Sequence, residues 1–175
     1  DDLRRAASLA GEVHEFFLAG CPPCQGFSNI GKRNANDEKN QLVFQYIRLI
    51  EELQPNFILM ENVPGMAKNV GRLIFHELIE RLTPLYHIDT DTLNAADYGV
   101  PQMRNRLVLH GVRRPVYDVL RRIVEKDEIN FLPRPTHAQN PEGHLCPWIS
   151  VGEAILDLPP LRAGEAFHGK ISNHV

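Results

Sequence analysis

Three short clusters in this sequence hold side chains suited to chemistry. Cys24 lies in Gly20-Cys21-Pro22-Pro23-Cys24-Gln25-Gly26-Phe27-Ser28, Glu61 in Glu61-Asn62-Val63-Pro64-Gly65, and two guanidinium groups in Gln102-Met103-Arg104-Asn105-Arg106. A free thiol with its usual pKa of about 8.5 is only a few per cent thiolate at neutral pH, so a working cysteine needs cationic neighbours or loop amides. The two arginines are candidates for that help. A carboxylate in a partly dry crevice becomes able to donate or share a proton. Arginine stays charged and grips a carbonyl or phosphate with a planar fork. Nucleophile, acid and oxygen clamp together suit attack on an electron-poor conjugated ring.

Such groups must be positioned by regular elements, and the apolar pattern supplies them. Residues 16–19 read as a buried strand that stops at Gly20, followed by a polar loop to about residue 40. Leu42, Tyr46, Ile47, Ile50 and Leu53 recur at three-to-four spacing, which predicts a helix over 41–53 closed before Pro55. Phe57-Ile58-Leu59-Met60 predicts a second strand, ended by Glu61-Asn62. A helix over 70–82 would turn Val70, Leu73, Ile74, Leu78 and Leu82 inward. Residues 86–93 read as a strand near an edge and 107–112 as another, and Pro115 is placed to open a helix to about 125. After Asn130 the texture changes, with Pro133, Pro135, Pro141, Pro147, Pro159 and Pro160 breaking the chain. One short helix is expected at 151–156, where Ser150 and Glu153 have capping-box spacing. Strand–helix alternation predicts a three-layer α/β sheet with an irregular, Pro-rich appendage. Ligands of such sheets lie beyond the carboxyl ends of strands, and all three clusters fall at strand ends or in joining loops.

Composition narrows the setting. At 175 residues the chain suits one domain or a large piece of one, and 43% hydrophobic residues suffice for a core. A charged share of 23% is ordinary for a globular protein and argues against disorder. No apolar run approaches the roughly 18 residues that span a bilayer, and no secretory signal opens the chain. Since Asp1 stands where Met would begin a coding sequence, a fragment is expected. The net charge of −3 lends no support to a nucleic-acid binder, although such binding needs only a local patch. Three cysteines are too few and odd in number for a disulfide scaffold, which predicts a reducing, intracellular setting.

The three clusters carry a resemblance. Pro23-Cys24-Gln25, continuing to Gly26-Phe27-Ser28, resembles the nucleophile motif of the cytosine-C5 DNA methyltransferases. Glu61-Asn62-Val63 is similar to that family's Glu-Asn-Val motif, and Gln102-x-Arg104-x-Arg106, after Asp97-Tyr98-Gly99-Val100-Pro101, to its Gln-x-Arg-x-Arg motif. They occur in the family's order and spacing. The resemblance implies a three-layer, Rossmann-like methyltransferase sheet using S-adenosylmethionine, with 1–130 as part of the catalytic domain and 131–175 as the start of a variable target-recognition region. It implies DNA as partner, base flipping and a restriction-modification setting, in the nucleoid or nucleus; the same pocket chemistry would serve a tRNA cytosine.

Roles follow residue by residue. Cys24 would add to C6 of a flipped cytosine, which makes C5 nucleophilic enough to take a methyl group. Glu61 would engage N3 and the exocyclic amine, and Arg106 would hold O2. Arg104 and Gln102 would support the loop, with Gln25, Ser28 and Asn62 on the substrate side. Asp2, Pro23 and Leu42 would line the cofactor pocket. Thr136-His137, residues 151–161 and Asn173-His174-Val175 look like target-recognition sequence. The family's Phe-x-Gly-x-Gly cofactor loop and its final Asn-containing motif are absent from these residues, so missing segments or a second polypeptide are expected to complete the enzyme.

Other readings stand beside this one. Cys21-Pro22-Pro23-Cys24 also spells the Cys-x-x-Cys of a thiol–disulfide oxidoreductase, but Gly26, Ser28, Asn29 and Gly31 replace the helical period such a motif requires. On the methyl-transfer reading Cys21 is a bystander packed near the strand end. Zinc would need His137, His144 or Cys146 as further ligands, and no second pair has finger spacing, so no metal is predicted. Arg104 and Arg106 would, in the plainest case, pair with Asp97 or Asp91 on the surface. The missing glycine loop also fits a non-catalytic nucleic-acid-binding remnant.

Overall fold

The computed structural model describes residues 16–23, 41–68, 71–124, 129–159 and 162–164. The chain divides into two units, one of Asp1–Leu93 with Asn105–Arg134, the other of Asn94–Arg104 with Pro135–Val175.

The first unit is built on a four-stranded sheet of β1 (Phe17–Gly20), β2 (Phe57–Asn62), β3 (Tyr86–Asn94) and β4 (Asn105–Arg113), in spatial order β1-β2-β4-β3. β1 runs parallel to β2, with Gly20 opposite Met60. β4 runs antiparallel to β2, with Asn62 opposite Leu107 and Glu61 opposite Val108. β3 lies at the edge, as its loose alternation predicted. β2 is longer than its apolar run, because pairing with β4 draws Glu61 and Asn62 into the ladder.

Alternation along β2 sorts its two faces. Ile58 and Met60 are fully buried beneath α1 (Gln41–Leu53) and α2 (Arg72–Leu82), together with Val43, Ile47, Ile50, Leu78 and Leu82. α1 ends at Gln54, whose φ of 48° is the left-handed conformation that closes helices, directly before Pro55. Val43 takes the inward place expected of Leu42, which is 43% exposed. Leu73 is also corrected: it is 81% exposed, since the stripe through Ile74, Leu78 and Leu82 places it on the opposite side of the turn. Val70 lies outside the described residues. Tyr46 stitches the sheet from below, its hydroxyl donating to Leu59 O at 3.0 Å and Leu18 O at 3.4 Å. Its ring lies so close under Gly20 that a Cβ there would stand 2.6 Å from Cε2, which is why β1 ends on a residue without one.

The other sheet face carries α3 (Arg114–Val124), so helices cover both faces and the layers are three. Tyr117 of α3 stacks on His87 at 3.8 Å between centroids, and Phe131 stacks on His110 at 5.2 Å. Asp89 accepts the Phe131 backbone N–H at 2.8 Å. Burial lowers the His110 pKa from its ordinary 6.5, with Asp89 opposing in part. The unfolded chain regains the ordinary value. Stability from this term is therefore complete above about pH 6.5 and declines as the pH falls, because the unfolded chain then takes a proton that the folded one resists. Replacing His110 by Phe, which keeps a ring against Phe131, is expected to flatten that decline. Denaturant midpoints at about pH 7.5 and about pH 5 measure it, and equal slopes in both proteins would refute it.

In the second unit, Asn94–Arg104 forms a closed loop. Its neck is Ala95 N donating to Arg104 O at 3.0 Å and Arg104 N donating to Asn94 Oδ1 at 3.0 Å. A 3-10 turn, Ala95–Tyr98, ends at Gly99 with φ 81°. Two short strands, β5 (His137–Ala138) and β6 (Cys146–Pro147), pair in parallel. α4 (Val151–Ile155) opens with the expected capping box of Ser150 and Glu153.

Candidate active site

Topology brings the carboxyl ends of β1 and β2 and the start of β4 to one end of the sheet. β1 and β2 are parallel, so their carboxyl ends lie together, and antiparallel β4 begins where β2 finishes. The Cys21-Pro22-Pro23 segment thus leaves the sheet beside Asn62, and Arg106 enters it beside Glu61.

Glu61 and Arg106 form an ion pair, Oε1 to Nε at 2.6 Å. They are 35% and 26% exposed, at the mouth of the sheet end and not in the dry crevice anticipated for the carboxylate. The Arg106 Nη1 donates to Asn105 O at 2.8 Å, which fixes the guanidinium plane beside the acid. A negative acceptor and a planar cation side by side can address adjacent polar atoms on one edge of a heterocycle. The surface pairing of Arg106 with Asp97 or Asp91 is corrected, since its partner is Glu61.

Asn62 points the other way, into the protein, and is 2% exposed. Its amide donates from Nδ2 to Pro22 O at 3.1 Å and accepts the Val63 N–H on Oδ1 at 2.8 Å. The substrate contact expected of it is therefore replaced by a structural one: Asn62 ties the end of β2 to the segment two residues before Cys24. Sequence spacing gave no signal of this bond, which spans 40 positions.

Cys24, Gln25, Ser28 and Asp2 lie outside the described residues. Pro23 and Leu42 are both exposed, apolar surface of the kind that an S-adenosylmethionine group covers, so neither opposes a cofactor there. Cys21 is exposed and not packed against the strand end. Gln102 and Arg104 are exposed and belong to the second unit, whereas Arg106 belongs to the first. Asp97, weighed above only as a surface partner for arginine, accepts the Trp148 indole N–H at 2.9 Å. Among the described residues, no helix is long and apolar enough to cross a membrane.

The sheet with helices on both faces is a Rossmann-like α/β architecture, and the chain belongs to the C-5 cytosine-specific DNA methylase family, which it matches over residues 4–142. It is 40% identical to the type II methyltransferase M.XorII of Xanthomonas oryzae pv. oryzae, over 91% of this chain and 33% of that one. Against M.BspRI of Lysinibacillus sphaericus the identity is 38%, over 86% and 32%. M.AquIA of Picosynechococcus is 32% identical, and there the match covers 90% of this chain and 69% of the relative. The chain thus spans about a third of the first two relatives and more than two thirds of the last. A prophage-encoded E. coli protein, described as a DNA modification methyltransferase, superposes with a TM-score of 0.64 at 28% identity, over 91% of this chain and 39% of its own.

Proposed function

We propose that this chain carries the catalytic centre of a DNA (cytosine-5) methyltransferase of the restriction-modification type, with 131–175 opening its target-recognition region. The observation that carries this reading is the Glu61–Arg106 pair at 2.6 Å, at the sheet end where β1 leads to Cys24. The Cys24 thiolate adds to C6 of an extruded cytosine, forming one S–C bond and leaving C5 as a carbon nucleophile. Glu61 engages N3 and the exocyclic amine, and Arg106 holds O2, so charge that develops on the ring meets groups already in place. S-adenosylmethionine supplies the methyl group, and Pro23, Leu42 and Asp2 are the residues here that would hold it. Loss of the C5 proton then lets the thiolate leave. Extrusion of the base costs a few kcal/mol, which pocket contacts must offset.

Relatives of about three times this length, beside one covered to 69%, support a glycine-rich cofactor loop supplied by polypeptide beyond these 175 residues, whether the same chain or a second one. A chromosomal substrate places the protein wherever that DNA resides.

The test is mechanism-based trapping. With DNA carrying 5-fluorocytosine and S-adenosylmethionine present, the enzyme completed by the polypeptide that carries the cofactor loop is expected to form a covalent adduct that fragment mass spectra locate on Cys24. An adduct on Cys21, or none, would overturn the reading.

A further inference from the structure

The second unit contains an interaction that the proposed chemistry does not use. Asp97 sits in the 3-10 turn of the Asn94–Arg104 loop and is gripped twice by a segment some forty to fifty residues later. Its backbone oxygen accepts the Thr136 N–H at 2.9 Å, and its Oδ1 accepts the Trp148 Nε1–H at 2.9 Å. Beside it, the His137 ring lies against Gly99, where a Cβ would stand 2.8 Å from Cε1 and where φ is 81°. Thr136 and Trp148 are themselves coupled through the short ladder, since Cys146 N donates to Thr136 O and Trp148 N to Ala138 O. The loop's neck is closed by Asn94 and Arg104, while its outer curve, from Asp97 to Gly99, is shaped by residues 136–148.

We propose that Asp97 and Trp148 are positioning residues that set the conformation of the loop bearing Gln102 and Arg104, and thereby its grip on DNA. This rests on the methyltransferase reading for its consequence, but not for its geometry. Asp97 and Trp148 belong with Gln102 and Arg104 to the second unit, whereas Glu61 and Arg106 belong to the first. The signature is a weaker hold on DNA with an unchanged chemical step. The indole N–H is a single directed donor, so Trp148→Phe removes the bond and keeps a ring, and Asp97→Ala removes the same bond from the other side. Asp97→Asn keeps an acceptor and serves as the conservative rescue.

The experiment follows adduct formation on 5-fluorocytosine DNA across DNA concentration, together with amide exchange of Ala95 and Arg104. Asp97→Ala and Trp148→Phe are each expected to raise the half-saturating DNA concentration about tenfold, with the maximal rate within about twofold. The double variant should be no worse than the worse single one, because both remove one interaction. Asp97→Asn should stay within about threefold of wild type. Amide exchange in the two single variants should rise about tenfold at Arg104. Effects that multiply in the double variant, a fall in maximal rate alone, or exchange unchanged at Arg104 would overturn the proposal. Failure of the completed wild-type enzyme, cofactor loop included, to form an adduct while Arg104 exchange responds would sink the catalytic reading and leave the loop geometry standing.

Discussion

Replacing Glu61 by glutamine is expected to lower the single-turnover methylation rate by about 10³-fold, within the range of about 10² to 10⁴ that a positioned acid–base group contributes. The carboxylate spends one oxygen on Arg106 Nε at 2.6 Å. A carboxylate has a second acceptor oxygen for the ring edge, but a glutamine side chain has only one acceptor. Once that oxygen faces Arg106, the amide N–H can donate to N3 but no acceptor is left for the exocyclic N–H, and the amide has no proton to give up as charge develops on the ring. Charge neutralisation is lost as well. Stability should hardly change, because a pair with a quarter to a third of each side chain exposed is worth about 1 kcal/mol or less. Rate and melting temperature therefore separate the two roles. A loss below about tenfold with a normal melt would mean that Glu61 does not touch the reacting ring.

Much of the framework was readable from the apolar pattern. The helix over 41–53, the edge strand beginning at Tyr86 and the capped turn after Ser150 all follow from periodicity and capping chemistry, which are local. What periodicity cannot supply is which partner a strand chooses. β4 inserts between β2 and β3 in antiparallel sense, and that insertion brings Arg106 beside Glu61. The likeness of the motifs anticipated the meeting; the strand spacing alone did not. Leu42 and Leu73 were assigned inward because a hydrophobic residue next to a helical stripe is indistinguishable from a member of it until the neighbouring elements fix the stripe's centre. Asn62, expected on the substrate side, and Asp97, weighed as a surface partner for arginine, differ from expectation for a related reason: each spends its side chain on another segment of the same protein, 40 and 51 positions away, a pairing that local spacing does not encode.

Asn62 is where fold and chemistry meet most closely, and its replacement by alanine should have the second-largest effect. The side chain is buried and bonded at both ends, donating to Pro22 O and accepting from Val63 N. Removing it leaves the buried Pro22 carbonyl and the part-buried Val63 N–H without this partner, a cost of about 1–3 kcal/mol. For a domain of this size that lowers the melting temperature by several degrees, at about 2–4 °C per kcal/mol. Function should suffer more than the fold, because the Asn62 bond holds Pro22 to β2 only two residues before Cys24. A nucleophile displaced by about 1 Å can lose about 10² in rate. Asn62→Ala should thus slow adduct formation per folded molecule about 10²-fold, while Glu61 and Arg106 keep their pairing. Asn62→Asp should be at least as slow, since it replaces the donor facing Pro22 O by an acceptor. The decisive measurement is the adduct rate normalised to folded protein at a temperature well below both melts. An unchanged rate there would show that Cys24 takes its position from elsewhere, and that the bond to Pro22 serves stability alone.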